Sequence, residues 1–185
     1  METKPDITTL LLHWKDGSPQ AFETLVDVMY DELRLLARRN LRHRGGSLTL
    51  NTSGLVHEAY LKLADHTRLG MENRGHFLAV YSKVMRNILI DMARSRAAIK
   101  HGGHLSVVTL DDTHLQIDAQ ANELLAINEA LTQLSHLDER LAKTVECRFF
   151  AGLTEVETAE AMGVSDRTVR RNWIKAKTLL HQFLE

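Results

Sequence analysis

Apolar residues recur every three to four positions along most of the chain, the spacing that lays one buried stripe along an α-helix. Phe22, Leu25, Val26, Met29, Tyr30, Leu33, Leu36, Ala37 and Leu41 form the first long run and predict an amphipathic helix. A shorter helix over residues 7–14 precedes it. Gly45-Gly46 interrupts the pattern, and Asn51, Thr52 and Ser53 then offer capping oxygens ahead of a third helix carrying Leu55, Val56, Ala59, Tyr60 and Leu63. After a loop, Phe77, Tyr81, Val84, Met85, Ile88 and Met92 mark a fourth, long helix. Residues 1–98 therefore read as a compact helical bundle.

Residues 99–121 have no sustained helical period and read as a linker. Within them Leu105-Ser106-Val107-Val108-Thr109-Leu110 is apolar enough for a strand, but a lone strand has no sheet to join, so extended packing on a neighbour is expected. Leu124, Ile127, Leu131 and Leu134 predict another helix, and Leu141, Val145 and Phe149 the next, with Asp138 as its cap. In the tail, Thr154 and Glu157 have the spacing of a capping box, Ala159 permits close helix crossing, and Gly163 suits a sharp turn. Ser165 would cap a last helix that turns Val169, Trp173, Leu179 and Leu180 inward and Arg167, Thr168, Arg170, Arg171 and Lys175 outward. The tail thus reads as a helix-turn-helix. The expected fold is all-α, with two small helical domains, 1–98 and 122–185, the second ending in that motif.

Composition narrows the classes. A single cysteine, Cys147, excludes a disulfide framework or a multi-cysteine metal centre, and suits a reducing cytoplasm. No apolar run approaches a membrane span, and the first residues lack the order of a secretion signal, so a cytoplasmic protein without membrane attachment is expected. The 23 Lys and Arg against 24 Asp and Glu give a net charge of −1, which hides a strong segregation. Arg34, Arg38, Arg39, Arg42 and Arg44 run without an acid; residues 83–100 set Lys83, Arg86, Arg94, Arg96 and Lys100 against Asp91; the charged residues of 167–177 are all basic. Residues 105–165 are acidic, with only Arg140, Lys143 and Arg148 opposing. Local basic stripes of this kind are what a polyanion responds to.

Three segments together resemble the extracytoplasmic-function sigma factors of bacterial RNA polymerase. They are Leu55-Val56-His57-Glu58-Ala59-Tyr60-Leu61-Lys62-Leu63, the stretch from Phe77 through Val80, Tyr81, Lys83, Arg86 and Asn87 to Asp91, and the helix-turn-helix. The resemblance spans roughly residues 20–183 in order. It implies a first domain that grips the beta-prime clamp helices of the polymerase core through Leu55, Val56 and Glu58 and melts the minus-ten promoter element. The second domain would read minus-thirty-five DNA.

Lys83, Arg86, Asn87 and Arg94 fall at separations that can share one helix face, which could hold a phosphate strand. By resemblance Asn87 meets the upstream edge of the minus-ten element, and the loop over residues 68–76 pockets a flipped base. Phe77 and Tyr81 lie on the apolar stripe and are expected in the core; Val80 stands where many family members carry Trp. On the last helix Arg167 and Thr168 lie near the groove-facing end, with Arg170, Arg171 and Lys175 behind them on phosphates. Thr158 occupies a usually aliphatic site.

The family usually carries acids just before the Leu-Val-x-Glu stretch, where Asn51-Thr52-Ser53-Gly54 is uncharged. A phosphate on Thr52, or less well on Ser53 or Thr49, would restore that charge at a helix N-terminus, which makes a serine/threonine kinase an expected partner. The competing role for Thr52 is a plain helix cap. No metal, cofactor or catalytic constellation is indicated, His101 and His104 reading as solvated histidines, so an enzyme is not expected. The alternative is a helix-turn-helix regulator of another class, with an N-terminal helical sensing or dimerising domain.

Overall fold

The computed structural model describes residues 6–42, 51–64, 71–102 and 112–185, and among these every regular element is helical. The order is α1 (Ile7–Lys15), α2 (Pro19–Val28), α3 (Tyr30–Arg42), α4 (Thr52–Ala64), α5 (Arg74–Gly102), α6 (Asp112–Leu137), α7 (Glu139–Val145), a π-helical turn (Glu146–Phe150), α8 (Glu155–Met162) and α9 (Asp166–Leu184). Side-chain caps open several of them. Asp6 accepts from the Thr9 amide at 3.2 Å, Ser18 caps α2 with Pro19 at its first position, and Asp138 caps α7.

Three expectations change. The run over residues 22–41 is two helices, broken at Met29, whose backbone takes φ −98° and ψ 5°. Leu25, Met29 and Leu33 all stay buried across the break, so the periodicity carries no sign of it. The expected linker 99–121 is helical at both ends, through Gly102 in α5 and from Asp112 in α6. Extending a formed helix adds a hydrogen bond for each residue fixed, so α6 can propagate back from its packed part through a segment with little periodicity of its own. The stretch 105–110, together with His104, lies outside the described residues.

The third change is one of register. Leu141, Val145 and Phe149 were expected on one buried stripe, yet Phe149 is 37% exposed and Phe150 only 4%. The π turn supplies the reason: its wider winding inserts one residue into the helical count and hands the inward position to the next side chain.

Leu11, Trp14, Phe22, Leu25, Leu33, Leu55, Phe77, Tyr81, Met85 and Leu89 fill the N-terminal core, with Trp14 stacked on Phe22 at 4.4 Å between ring centres. Leu124, Cys147, Ala151 and Leu153 belong to the same core. A second, smaller core gathers Leu131, Leu134, Leu141, Val145, Phe150 and Ala176. The C-terminal helices are thus anchored in the N-terminal bundle.

Candidate nucleic-acid interface

Helix α5 buries Phe77, Tyr81, Met85 and Leu89 along one stripe, and the Tyr81 hydroxyl donates to the Val56 carbonyl at 2.8 Å. This places both aromatic residues in the core, as expected. Burial pushes the Tyr81 phenol well above its ordinary value, with Tyr60 adding to the effect. Val80 is half-buried beside it. On the opposite side Lys83, Asn87 and Arg94 are exposed. Asn87 and Arg94 border a groove of about 450 Å³ with Lys62, Asp91 and Asn128. Lys83, Arg86 and Asn87 border a smaller one of about 280 Å³, whose far wall is α6, α7 and Glu146 of the π turn.

Arg86 departs from the expected polar face. It is 5% exposed, donates from Nη1 to Asn128 Oδ1 at 3.2 Å, pairs through Nη2 with Glu146 Oε1, and lies over the Phe150 ring at 5.2 Å. Burial pulls the guanidinium below its ordinary value, while Glu146 acts in the opposite sense. Helical spacing within α5 put Arg86 with Lys83 and Asn87; packing of α6 and the π turn against α5 removes it from that set.

Helix α4 also requires a correction. Leu55 and Val56 are buried in the N-terminal core, with Val56 at the wall of a groove between α2 and α4, and of the three residues expected to grip the polymerase only Glu58 is exposed. Exposed beside it are His57, Leu61 and Lys62. The cap of α4 is Asn51, whose Oδ1 accepts from the Gly54 amide at 2.8 Å. Thr52 is the first helical residue and half-buried, and Ser53 is exposed; Thr49 lies outside the described residues. Glu23 and Asp27 of α2 join Ser53 and His57 around a groove of about 520 Å³. Sequence reading did not find these two carboxylates, because their approach to α4 depends on the packing of α2 across it.

In the loop over residues 68–76, the described part is engaged elsewhere. Met71 is buried, Asn73 caps α5 by accepting from the His76 amide at 2.8 Å, and its Nδ2 donates to the Glu160 carbonyl at 3.3 Å. Arg74 donates to Glu32 at 2.7 Å and to Glu157 at 3.1 Å, tying α3, α5 and α8 together. Residues 68–70 lie outside the described residues.

Helices α8 and α9 meet through a tight turn. Thr154 and Glu157 complete the capping box in both directions, and Gly163 adopts φ +64°, where a side chain would be strained. Ser165 caps α9 by accepting from the Thr168 amide at 3.3 Å. Val169 and Ala176 are buried, while Trp173 is half-buried with Arg148 and Lys177 over its ring at 5.7 and 5.6 Å. Arg167, Arg171 and Lys175 are exposed, and Thr168 is half-buried. Arg170 is exposed too, but its Nε and Nη2 donate to Glu155 Oε2 at 3.1 and 2.9 Å. Thr158 is wholly buried and its hydroxyl has no hydrogen-bond partner among the described residues, so its methyl serves the packing of an aliphatic residue.

Cationic side chains thus stand exposed on the longest and the last of the described helices, a distribution to which a polyanion responds. The family model for ECF sigma factors matches residues 4–185, and the chain belongs to that family. Its members bind RNA polymerase core and promoter DNA and direct transcription. No curated protein and no solved structure matches the chain. Among the described residues no helix is long and apolar enough to cross a membrane, and no group of His, Cys, Asp and Glu is arranged to hold a metal ion.

Proposed function

We propose that this sigma factor works in the cytoplasm, engaging the beta-prime clamp helices through the outer face of α4 around Glu58. Lys83, Asn87 and Arg94 of α5 then contact the minus-ten strand, and α8–α9, acting as a helix-turn-helix, reads minus-thirty-five DNA with Arg167, Thr168, Arg171 and Lys175. The observation that carries the reading is the exposed cationic face of α9, presented on a turn built from a capping box, a left-handed glycine and a serine cap. Transcription of a promoter-fragment library by purified core with and without this protein tests it. Specific transcripts that require the protein are expected; none would dismiss the reading.

The polymerase grip is switched by phosphorylation of Thr52. Asn51 caps α4, so the Thr52 hydroxyl is not needed for that purpose. At the first helical position a phosphate meets the favourable end of the helix dipole. Ser53 is a poorer acceptor because a phosphate there would share its groove with Glu23 and Asp27. Core affinity of wild type, Thr52→Ala, Thr52→Asp and kinase-treated protein decides it. Tight binding by unmodified wild type, with Thr52→Ala fully active in cells, would remove the switch.

A further inference from the structure

The contacts that anchor the C-terminal helices fall on the helix expected to bind the minus-ten strand. Asn87 and Lys83 look into a groove whose far wall includes Asn128, Thr132, Ser135 and Lys143, and Arg86 between them is committed to Glu146 and Asn128. Around this seam Arg39 donates to the Ala151 carbonyl at 3.0 Å and Asn40 reaches the Phe150 carbonyl at 3.4 Å. Gly152, at φ +69°, leaves the space that the Arg39 guanidinium occupies: a Cβ there would lie 1.1 Å from Nη1. Arg74 adds its bridge from α3 to α8. By contrast Arg167, Arg171 and Lys175 on α9 point to solvent.

We infer that the structure is a latched, closed state in which the π turn and α6 stand against the minus-ten face of α5, with Glu146 holding Arg86 in the place of the nucleic-acid backbone and walling one side of the approach to the exposed Lys83 and Asn87, while the α9 face stays free. The inference rests on the reading of α5 as the minus-ten helix. A buried guanidinium deprived of its carboxylate is left uncompensated, so loss of Glu146 weakens the seam that Leu124, Cys147, Ala151 and Leu153 otherwise hold by packing. An anionic DNA strand is the chemical competitor for Arg86, which makes opening of the latch and strand capture mutually reinforcing.

Cys147 makes the latch observable without an added probe site. It is the only cysteine of the chain, is 4% exposed at the seam, and contributes to the N-terminal core from the π turn. Burial, with Glu146 adding to it, pushes the thiol up to about 12. Both access and ionisation are therefore suppressed while the seam is shut.

The experiment follows reaction of Cys147 with a chromogenic aryl disulfide in the full chain, whose thiolate forms a mixed disulfide and releases the aryl thiolate. In parallel it measures binding of a fluorescent single-stranded oligonucleotide of randomised sequence and of a randomised duplex at one low salt concentration. Glu146→Gln is expected to raise both the labelling rate and single-strand affinity by about tenfold or more, with duplex affinity unchanged. Because the Glu146 charge itself suppresses the thiol, Asn128→Ala, which leaves that charge in place, must accelerate labelling as well, by a smaller factor. It also serves if Glu146→Gln loses helical circular dichroism. Adding Lys83→Ala to either variant should return single-strand affinity toward wild type.

Unchanged labelling in Asn128→Ala would overturn the latch. Faster labelling with no gain in single-strand affinity would show a seam that opens without uncovering a nucleic-acid site, and would equally overturn it. A gain that Lys83→Ala does not reverse would fault the assignment of α5 on which the inference rests. The fragment-library transcription tests sigma activity separately from all three.

Discussion

Arg170 and Arg171 are neighbours on α9 with different electrostatic settings. Arg171 is exposed, whereas Arg170 already shares its charge with Glu155. Arg171→Ala should therefore flatten the salt dependence of duplex binding by about one unit, the value for one lost phosphate contact, and Arg170→Ala by less. Fluorescence anisotropy across a salt series reads both. Glu157 permits a prediction in pH. Bonds from the Thr154 amide and hydroxyl, and from Arg74, hold its carboxyl below the ordinary 4.5, against a smaller effect of burial. A carboxyl depressed in the folded state stabilises fully above its unfolded value and loses that contribution as pH falls through its folded value. Wild type should thus lose more stability than Glu157→Gln below pH 4.5. Acid titration of thermal melting measures the difference. On α5, Lys83→Ala and Asn87→Ala should impair promoter opening, followed by permanganate reactivity of unpaired thymines, while core binding is retained. Wild-type reactivity in both would reject their assignment.

At the scale of the element, the π turn and the α8–α9 turn each depend on a few positions. Phe150 is packed in the second core and beneath Arg86, while Phe149 is partly in solvent with an edge contact to Phe150 at 5.0 Å. Phe150→Ala should cost about 3–5 kcal/mol and Phe149→Ala about 1 kcal/mol. A larger cost for Phe149→Ala than for Phe150→Ala in denaturant titration would place the helix in the regular register that the Leu141, Val145, Phe149 spacing suggests. Gly163 sits at φ +64° with open space around its Cα, so the cost of Gly163→Ala comes from the backbone alone, about 1 kcal/mol. Thr154→Ala should cost a similar amount through the lost cap.

Across the whole molecule, Leu124, Cys147, Ala151 and Leu153 pack in the same core as α1–α5. A core shared in this way makes the two halves unfold together. Wild type should give a single thermal transition, and Leu124→Ala, costing about 2–5 kcal/mol, should lower the stability of the halves jointly at first. Scanning calorimetry would reveal two separated wild-type transitions if the cores were independent. Glu146→Gln should broaden or divide the transition, because the seam loses its carboxylate while each bundle keeps its own packed stripes.

The helices, most of their caps, the two buried aromatics of α5 and the α8–α9 turn were legible in the sequence. All depend on local rules: a stripe repeats every three to four residues, and a capping oxygen lies within three residues of the amide it serves. The break at Met29 escaped because the stripe runs through it, and the Phe149–Phe150 exchange escaped because a π turn changes the count that the spacing assumes. Tertiary packing alone decided the rest. Arg86 and Glu146 are separated by 60 positions, Arg74 and Glu157 by 83, and Arg39 and Ala151 by 112. Whether a cation on a helix face meets solvent, DNA or a carboxylate depends on which distant element is laid against it, and helical periodicity holds no information on that choice.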